Sequence, residues 1–345
     1  MIDIRTLTDG GQPAADIAAQ LASFLSAARQ SLDMAVYDFA LPDETAKPVV
    51  GAIRDAVARG VRARIVYNVD HRKPIAVPPP PSTDPALIAA TGAQAKAIYG
   101  VPDLMHHKYV VRDGSSVWSG STNWTQDSWT REENVIVGVD DEALASAFAR
   151  DFDDLWTSGA VAGSGKFTPG PVVVDGSTVR ALFCPGRSTR LTHRISAAIA
   201  RAGRVRVASP VITAGPILGT LAEVAATGRA DLAGVYDATQ MREVFGQWRA
   251  DEHAAWKIPC FTSLVTHAPF GAKVTTPYAP GSVHDFMHAK VCVADDVAFV
   301  GSYNLSHSGE DNAENVLEIE DKKIADQLAA FVDQLRARYP SPGAP

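Results

Sequence analysis

The hydrophobic positions of the chain follow a helical spacing twice. Apolar residues recur every three or four positions in both stretches, and each member of the first set has a counterpart 174 residues later: Ile17, Leu21, Phe24, Leu25 and Ala28, then Leu191, Ile195, Ala198, Ile199 and Ala202. Such a stripe is typical of an amphipathic helix that buries one face. Because the two stretches agree position for position, the pattern predicts an internal repeat.

The same order of elements follows each predicted helix. An apolar strand comes first (32–39 and 205–212), then a helix that ends at a glycine (Gly60 and Gly228), then a second strand (61–67 and 231–236). Alternation of strand, helix and strand predicts an α/β fold whose sheet is largely parallel and covered by helices.

The remaining segments divide the chain. A stretch rich in Gly, Ser and Pro at 159–171 predicts a linker between a first half, 1–158, and a second half, 172–340. Closing helices are expected at 142–156 and 322–338, and residues 341–345 are expected to be a disordered tail. The segments 71–81 and 261–284 are predicted to be loops that wall the mouth of a site and set substrate choice.

Composition limits the possible classes of protein. A chain of 345 residues with 46% hydrophobic content is long enough for two cores. The three cysteines contain no Cys-x-x-Cys, which favours reduced thiols. The start lacks a signal-peptide pattern, and no apolar run reaches membrane-spanning length. We therefore expect a cytoplasmic protein without a transmembrane segment.

The charge is unevenly distributed. The net charge of −7 lies entirely in residues 1–160, and this acidity is unlike that of a general nucleic-acid binder. The second half, however, opens with arginines set among few acids: Arg180, Arg187, Arg190, Arg194, Arg201, Arg204 and Arg206. They indicate either a solvated face or a patch that steers an anionic substrate.

A polar motif also occurs twice. It reads His-x-Lys-x4-Asp, then Gly-Ser-x-Asn, with a Glu-Asn pair ten residues after the Asn. Its members are His106, Lys108, Asp113, Ser121, Asn123 and Glu133 in the first copy, and His288, Lys290, Asp295, Ser302, Asn304 and Glu314 in the second. Apolar flanks predict that each His-x-Lys lies on a strand, so His and Lys share one face.

These residue types suit a phosphate diester. Lysines supply positive charge, asparagines donate hydrogen bonds, and imidazoles supply a nucleophile and a proton donor near neutral pH. A glutamate bonded to each imidazole would fix its tautomer. A single short motif is more often a solvated strand edge or a turn, but two complete copies disfavour that interpretation. A zinc site at His284 and His288 is disfavoured, so neither metal nor cofactor is expected.

The paired motifs resemble those of the phospholipase D superfamily over nearly the whole chain. The resemblance implies two α/β/α sandwich halves with mixed, largely parallel sheets, related by a pseudo-twofold axis, with one active site at their interface. It implies a monomer that is an internal pseudo-dimer and a metal-free reaction through a covalent phosphohistidine. The implied roles are nucleophile for His106, acid for His288, phosphate binding for Lys108, Lys290, Asn123, Asn304, Ser121 and Ser302, orientation for Glu133 and Glu314, and structure for Asp113 and Asp295.

The substrate stays open between two classes. The acidic charge, the two motifs in one chain and the apolar residues expected at the rim (Ile75, Val77 and Phe270) favour a phospholipid. The sequence from Met105 to Lys108, with Gly120 to Thr125, is similar to the motif of the superfamily's small nucleases, and it favours a nucleic acid together with the arginines that open the second half. Trp124, directly after Asn123, is interpreted either as core packing or as a substrate contact. A third hypothesis is a non-catalytic module that binds phosphodiesters.

Overall fold

The computed structural model describes residues 1–69, 83–100, 102–279 and 281–340. The predicted loop at 71–81, with Ile75 and Val77, and the predicted tail at 341–345 lie outside these residues. The described chain forms two α/β halves, each built on one mixed sheet, as predicted.

The first half runs to the end of its fifth helix. Its strands are β1 (Ile2–Leu7), β2 (Ser31–Val36), β3 (Phe39–Ala40), β4 (Arg62–Val69), β5 (Gln94–Tyr99), β6 (Lys108–Arg112), β7 (Ser116–Gly120), β8 (Trp124–Thr125) and β9 (Asn134–Asp140). Its helices are α1 (Ala14–Ser26), α2 (Asp43–Ala58), α3 (Pro85–Ala90), α4 (Gln126–Thr130) and α5 (Glu142–Ser158).

The second half begins after a short 3-10 turn at Val161–Gly163. Its strands are β10 (Val172–Val174), β11 (Ser177–Cys184), β12 (Arg204–Ser209), β13 (Asp231–Asp237), β14 (Phe270–Lys273), β15 (Val291–Ala294), β16 (Val297–Gly301) and β17 (Glu314–Glu320). Its helices are α6 (Ser188–Arg201), α7 (Gly215–Thr227), α8 (Ala238–Ala250), α9 (Lys257–His267), α10 (His307–Asp311) and α11 (Lys322–Arg338).

The two sheets have matching strand orders. The first is β1-β9-β7-β6-β2-β4-β5, and the second is β11-β17-β16-β15-β12-β13-β14 with β10 added at the β11 edge. In each sheet only the last three strands pair in parallel, namely β2-β4-β5 and β12-β13-β14. The sheets are mixed, but the expected predominance of parallel pairs is wrong, because the motif hairpins and their neighbours all pair antiparallel.

Helices cover both faces of each sheet. The outer core of the first half includes Leu21 of α1 and Ile53 of α2, and that of the second includes Ile195 of α6 and Leu221 of α7. A third core joins the inner faces of the two sheets through α5 and α11, with Phe148 and Leu328 among its buried residues. Because this apolar core spans both halves, it fixes the position of one motif relative to the other.

The segment before the second motif is more ordered than predicted. The part of 261–284 that was expected to be loop contains the end of α9 and the whole of β14, and α8 precedes it. Phe270, assigned to an apolar rim loop, begins β14 and is buried in the outer core. Periodicity here is hidden by Pro269 and by small polar residues, and tertiary packing determines the structure instead.

Two further observations concern the chain as a whole. Cys184, Cys260 and Cys292 are free thiols. Of the helices in the described ranges, none combines the length and the apolar character that a membrane crossing requires.

Candidate active site

The two motifs meet at one cavity of about 350 Å³ between the halves. His106 and Asn123 line it from the first half, and His288 and Asn304 line it from the second. Each histidine lies directly before a strand of its motif hairpin, in an extended segment that brings it to the interface. The predicted convergence of two separate motifs on one site is therefore what the structure shows.

Each histidine is held by residues from the opposite half. His106 Nδ1 lies 2.8 and 3.0 Å from the two carboxylate oxygens of Glu314. His288 Nδ1 lies 3.0 Å from Oδ1 of Asn134 and 3.2 Å from Oε2 of Glu132. A carboxylate or amide oxygen at Nδ1 fixes the tautomer and leaves Nε2 as the nitrogen for chemistry. Neither half therefore contains a complete site alone.

The predicted contact of Glu133 with a histidine is wrong by one residue. Gly120 pairs with Ile136, whereas its counterpart Gly301 pairs with Val316, so the first half has one more residue between these points. Because side chains alternate along a strand, a slip of one residue turns a side chain to the other face. Asn134 thus occupies the position of Glu314, and Glu132 that of Asn312.

Glu133 instead forms a buried link between the halves. Its Oε2 lies 2.9 Å from Nζ of Lys273, which also donates to the main-chain oxygen of Arg131. The hydroxyl of Tyr339 donates to the other carboxylate oxygen. The carboxylate and the lysine are both buried, so their charges compensate each other away from the histidines.

Two lysines carry the positive charge of the site. Lys108 and Lys290 are buried, and each Nζ donates to the main-chain oxygen of the histidine two residues before it, at 2.6 Å for Lys108. The Lys108 ammonium also lies 4.7 Å from the centre of the Tyr37 ring. The prediction that each His-x-Lys lies on a strand holds only for Lys108, the first residue of β6; His106 precedes β6, and both His288 and Lys290 precede β15.

Burial changes the proton affinities in the site. It lowers the pKa of His106 and of His288 well below the usual value, and the charges of the two lysines act in the same direction. Burial also lowers the pKa of Lys108 to about 8, against the opposing effect of Glu314, and lowers that of Lys290 well below its usual range. It raises the pKa of Glu132 and of Glu314 to about 7. Glu132, Glu314 and Lys108 therefore have pKa values close to neutral pH.

The Gly-Ser-x-Asn segments bring short polar groups to the same place. The Oδ1 atoms of Asn123 and Asn304 are buried without a hydrogen-bond partner among the described residues. Ser121 Oγ donates to Asn134 Oδ1 at 2.6 Å, and Ser302 Oγ accepts from the Asn315 amide at 3.0 Å. The two asparagines thus face the cavity, whereas the two serines brace the strand that holds the histidine partners.

Asp113 and Asp295 lie away from the cavity and brace the hairpins. Asp113 accepts main-chain hydrogen bonds from Arg29, Gln30 and Ser31, and Asp295 accepts them from Gly203 and Arg204. Both have a left-handed backbone, with φ of 53° and 52°. Burial alone would raise the pKa of Asp113, but the three amide donors outweigh it and hold that pKa below its usual value.

Comparison with known proteins agrees with this geometry. The protein family described as "Cardiolipin synthase, PLD-like domain" matches residues 21–156 and 191–336, which is most of the chain and includes both motifs. The chain belongs to the phospholipase D superfamily.

Individual relatives within the superfamily match one part of the chain. Mitochondrial cardiolipin hydrolase of Xenopus tropicalis is 30% identical over 147 residues, which cover 40% of this chain and 60% of that protein. The human protein of the same name is 32% identical over 133 residues, which cover 38% of this chain and 48% of that protein. The match thus spans about half to three fifths of the length of these relatives.

A solved structure shows the same two-part fold. Phosphatidylserine synthase of Haemophilus influenzae superposes with a TM-score of 0.64 at 13% identity, covering 97% of this chain and 86% of that chain. At this identity the likeness concerns the fold alone. Both halves of the phospholipase D fold are therefore present in one chain.

The walls of the superfamily's site differ here between the two sides. Tyr37 and Asp38 follow β2 beside His106, and the equivalent positions after β12 hold Pro210 and Val211. Thr239, Gln240, Glu243, Val244 and Gln247 of α8 form another wall. The rings of Tyr278, His284 and Phe286 form a row at the cavity, with successive centroids 5.2 Å apart. Trp124, which was considered as a substrate contact, is buried against Phe39 instead.

Several residues that hold the site were not found from the sequence. Asn68 and Asp237 end β4 and β13, and their carboxamide and carboxylate oxygens accept the main-chain N–H of the residue before each histidine, at 2.8 and 3.1 Å. Burial raises the pKa of Asp237 to about 6. His107, in contrast, was expected from the sequence to face away from the site; it does not line the cavity, and its Nδ1 lies 3.2 Å from Asn315 Oδ1. In the sequence, the signal for Asn68 and Asp237 was their equivalent position near the ends of two matching strands, since neither residue belongs to a motif.

Across the described ranges, no three His, Cys, Asp or Glu residues form a group able to hold a metal ion.

Proposed function

We propose that the protein is a phosphodiesterase of the phospholipase D type that hydrolyses, or transfers, the phosphodiester of a phospholipid through a covalent phosphohistidine. The observation that carries this proposal is the convergence of His106 and His288 on one cavity, each with Nδ1 engaged by the other half. Two oriented imidazoles beside two buried ammonium groups match the needs of phosphoryl transfer without further charge neutralisation.

In the first step, His106 acts as the nucleophile. Its Nε2 forms a bond to phosphorus while the bond from phosphorus to the leaving oxygen breaks, and that oxygen takes a proton from His288. The lowered pKa of His106 supports this role, since the imidazole is neutral at pH 7 and has a free electron pair. The contact with both oxygens of Glu314 supports it too, because a carboxylate at Nδ1 stabilises the positive ring that forms.

The proton for the leaving group belongs to a pair of residues. Burial lowers the pKa of His288 and raises that of Glu132 to about 7, so the His288–Glu132 pair carries a proton near neutral pH. His288 donates this proton from Nε2 and keeps the proton on Nδ1, which Asn134 Oδ1 and the Glu132 carboxylate accept. In the second step, water gives a proton to His288, its oxygen bonds to phosphorus, and the bond from phosphorus to His106 breaks. An alcohol in place of water gives transfer.

In the proposed mechanism, the lysines and asparagines of the motifs bind the oxygens of the substrate phosphate. Lys108 and Lys290 supply charge, and Asn123 and Asn304 point amide groups at the cavity whose oxygens lack partners among the described residues. The amide nitrogens are suited to donate to non-bridging oxygens, and the ammonium groups stabilise the charge of the transition state. One chain provides both half-sites, so we propose a functional monomer.

The cavity walls support a phospholipid as the substrate. Pro210, Val211, Val244 and Phe286 give it an apolar side, and Asp38 and Glu243 add negative charge. In the described part of the chain, no lysine or arginine lines this cavity. A nucleic acid brings further phosphates on both sides of the scissile one, and these walls offer them no positive charge.

A nuclease is the second candidate, and one observation favours it. The row formed by Tyr278, His284 and Phe286 presents aromatic rings at the cavity, and such rings stack on nucleobases. A non-catalytic binding module is less well supported, because both histidines and both lysines are retained and oriented.

A metal-free turnover assay tests the proposal. Wild type and His106→Asn are compared in EDTA with bis-p-nitrophenyl phosphate, phosphatidylcholine vesicles and single-stranded DNA. We expect wild type to cleave the first two and the variant to cleave none. His107→Asn is the matched control, since His107 faces away from the cavity, and it is expected to retain turnover of the small diester. Cleavage of DNA alone would favour the nuclease. No turnover of any of the three substrates by wild type would contradict the proposal.

A further inference from the structure

A second cavity, of about 870 Å³, lies on the outer face of the second half. It is bounded by α6 and by Val297, Phe299 and Glu318 of strands β16 and β17. Arginines and a histidine of the helix segment line it: Arg187, Arg190, His193, Arg194 and Arg201. It shares no lining residue with the catalytic cavity, so it is a separate feature, here called the arginine groove.

The charge of the arginine groove is only partly compensated. Glu318 accepts two hydrogen bonds from Arg194, at 2.6 and 2.5 Å. Arg187, Arg190 and Arg201 are exposed and have no carboxylate partner in the described part of the chain. The neighbouring arginines of the same half differ from these three, because they do have carboxylate partners.

Those neighbours, Arg204 and Arg206, both form ion pairs. Arg204 pairs with Asp326 at 2.7 Å, and Arg206 pairs with Asp231 and Asp333 at 2.8 and 2.9 Å. In a protein of net charge −7, three unpaired arginines on one concave surface form a local positive potential.

The first half provides an internal comparison. Helices α1 and α6 bury equivalent residues, and Phe24 of α1 corresponds to Ala198 of α6. Trp118 pairs with Gly138 in the first sheet as Phe299 pairs with Glu318 in the second. In the first half the rings of Phe24 and Trp118 pack at 5.7 Å, and Arg112 lies over Phe24.

The same place is therefore filled in one half and open in the other. A smaller pair, Ala198 and Phe299, leaves the space that Phe24 and Trp118 occupy. The positions of Arg187, Arg190 and Arg201 correspond by the same alignment to Pro13, Asp16 and Ala27, so the arginines are not a property of the repeat. The opening and the charge occur together, which is what a binding site for an anion requires.

We propose that the arginine groove binds a phosphate group of an anionic ligand, independently of the catalytic cavity. Guanidinium groups donate two parallel hydrogen bonds to phosphate oxygens, and exposed Arg187, Arg190 and Arg201 are available for this. The apolar surface of Ala197, Ala198 and Phe299 accommodates the carbon part of the ligand. The phosphate comes from a soluble phosphate ester or from a lipid headgroup, and this inference does not rest on the proposed function.

Isothermal titration calorimetry tests the arginine groove with three probes, namely pyrophosphate, vesicles of phosphatidylglycerol and single-stranded DNA. One variant removes charge, Arg190→Gln with Arg201→Gln, and another fills the space as in the first half, Ala198→Phe. We expect each variant to weaken binding by about tenfold or more, as the loss of charge-assisted hydrogen bonds implies. The matched control, Arg29→Gln with Arg54→Gln, removes two exposed arginines from the first half and is expected to bind as wild type does.

The outcomes distinguish a soluble phosphate ester from a lipid headgroup as the ligand of the arginine groove. Binding of pyrophosphate that both variants weaken supports a soluble ligand, and binding of vesicles alone that both variants weaken supports a lipid headgroup. Turnover of a small diester is expected to stay unchanged, so failure of the groove and failure of the catalytic proposal are distinguishable. Binding of pyrophosphate and vesicles that is equal in wild type and Ala198→Phe would overturn the inference, as would variant-sensitive binding of single-stranded DNA alone.

Discussion

At the scale of single residues, burial is the main cause of the site's chemistry. At the candidate site, burial lowers the pKa values of two lysines and two histidines and raises the pKa values of two glutamates to about 7. Exposed lysines and glutamates would be charged and hydrated at neutral pH, and exposed histidines would be partly protonated. In the proposed mechanism, the buried histidine nucleophile is neutral, and the second histidine and its glutamate hold a proton for the leaving group.

A pH profile follows from these shifts. Because the pKa of Lys108 is lowered to about 8, the lysine loses its charge as the pH rises through that value. The proton on the His288–Glu132 pair is lost from about pH 7 upward, in the same direction. The pKa of His106 lies well below 6.5, so the nucleophile stays neutral in mild acid. We therefore expect kcat/KM for a small diester to fall above about pH 8, and a continued rise to pH 9 would contradict this assignment.

Substitution of three glutamates one at a time distinguishes residues that orient a histidine from a residue that stabilises the fold. Glu132→Gln and Glu314→Gln remove the carboxylate beside a histidine, and we expect each to lower kcat by about 100-fold with little change in KM. Glu133→Gln is the matched control, at the residue next to Glu132, and it leaves Lys273 buried without its main counter-charge. We expect it to keep most of kcat but to lower the free energy of unfolding by about 3 kcal/mol in urea titration. Equal losses of kcat in all three would refute the assignment of Glu132.

The error at Glu133 has a specific physical origin. The motif residues repeat at an offset of 182 for His and Lys and 181 for Asn, and counting onward from Asn123 and Asn304 selects Glu133 and Glu314. The closing strands and helices repeat at an offset of 180, as Val137 and Leu317 show. The alternation of buried and exposed residues in the closing strands gives the correct register. In that register, Asn134 of the first half is equivalent to Glu314 of the second. The types of the residues at the site were therefore predictable from the sequence. The face of the strand on which each side chain lies could be determined only from the register of the sheet.

At the scale of elements, the motif hairpins and the closing helices were predictable, and the segment before the second motif was not. Helix α11 has the predicted bounds, because Asp321 caps it and its apolar face is regular. Helices α8 and α9 and strand β14 carry weaker local signals and are stabilised by packing against the outer core. The cavity wall on this side therefore comes from α8 and also from the loop after β14, where Thr276, Tyr278 and His284 line the cavity as the sequence predicted.

Phe270 tests whether β14 is core or rim. Its ring is buried in the outer core beside Gly234, where an added Cβ would lie 2.4 Å from it. We expect Phe270→Ala to lower the free energy of unfolding by about 3 kcal/mol or more in urea titration, as deletion of a buried ring does. The ratio of kcat/KM between a phospholipid and bis-p-nitrophenyl phosphate is expected to stay constant. A changed ratio with unchanged stability would restore the rim interpretation.

At the scale of the whole molecule, the halves depend on each other. Each histidine takes its Nδ1 partner from the opposite half, and the core between α5 and α11 holds the halves in register. An internal repeat of this kind provides the two half-sites that a symmetric dimer would otherwise supply. It also allows the walls to diverge, as Tyr37 and Asp38 differ from Pro210 and Val211.

Mixing two inactive variants tests this self-sufficiency. His106→Asn and His288→Asn each retain one intact half-site, so a site shared between chains would recover activity in a mixture. We expect no recovery, because both halves of the site belong to one folded chain. Turnover of the mixture at about a quarter of the wild-type rate, or any rise with protein concentration, would show instead that chains exchange halves.

The most direct test of the account is to locate the covalent intermediate. His288→Asn is mixed with a phosphodiester substrate without metal, quenched in alkali and digested, and the peptides are examined by mass spectrometry. The account predicts a phosphoryl adduct on the peptide that contains His106, and no adduct when His106→Asn is added to the same variant. Sustained turnover of wild type without any adduct, or an adduct on His288 of the His106→Asn variant that accumulates equally, would contradict the assignment of His106 as the nucleophile.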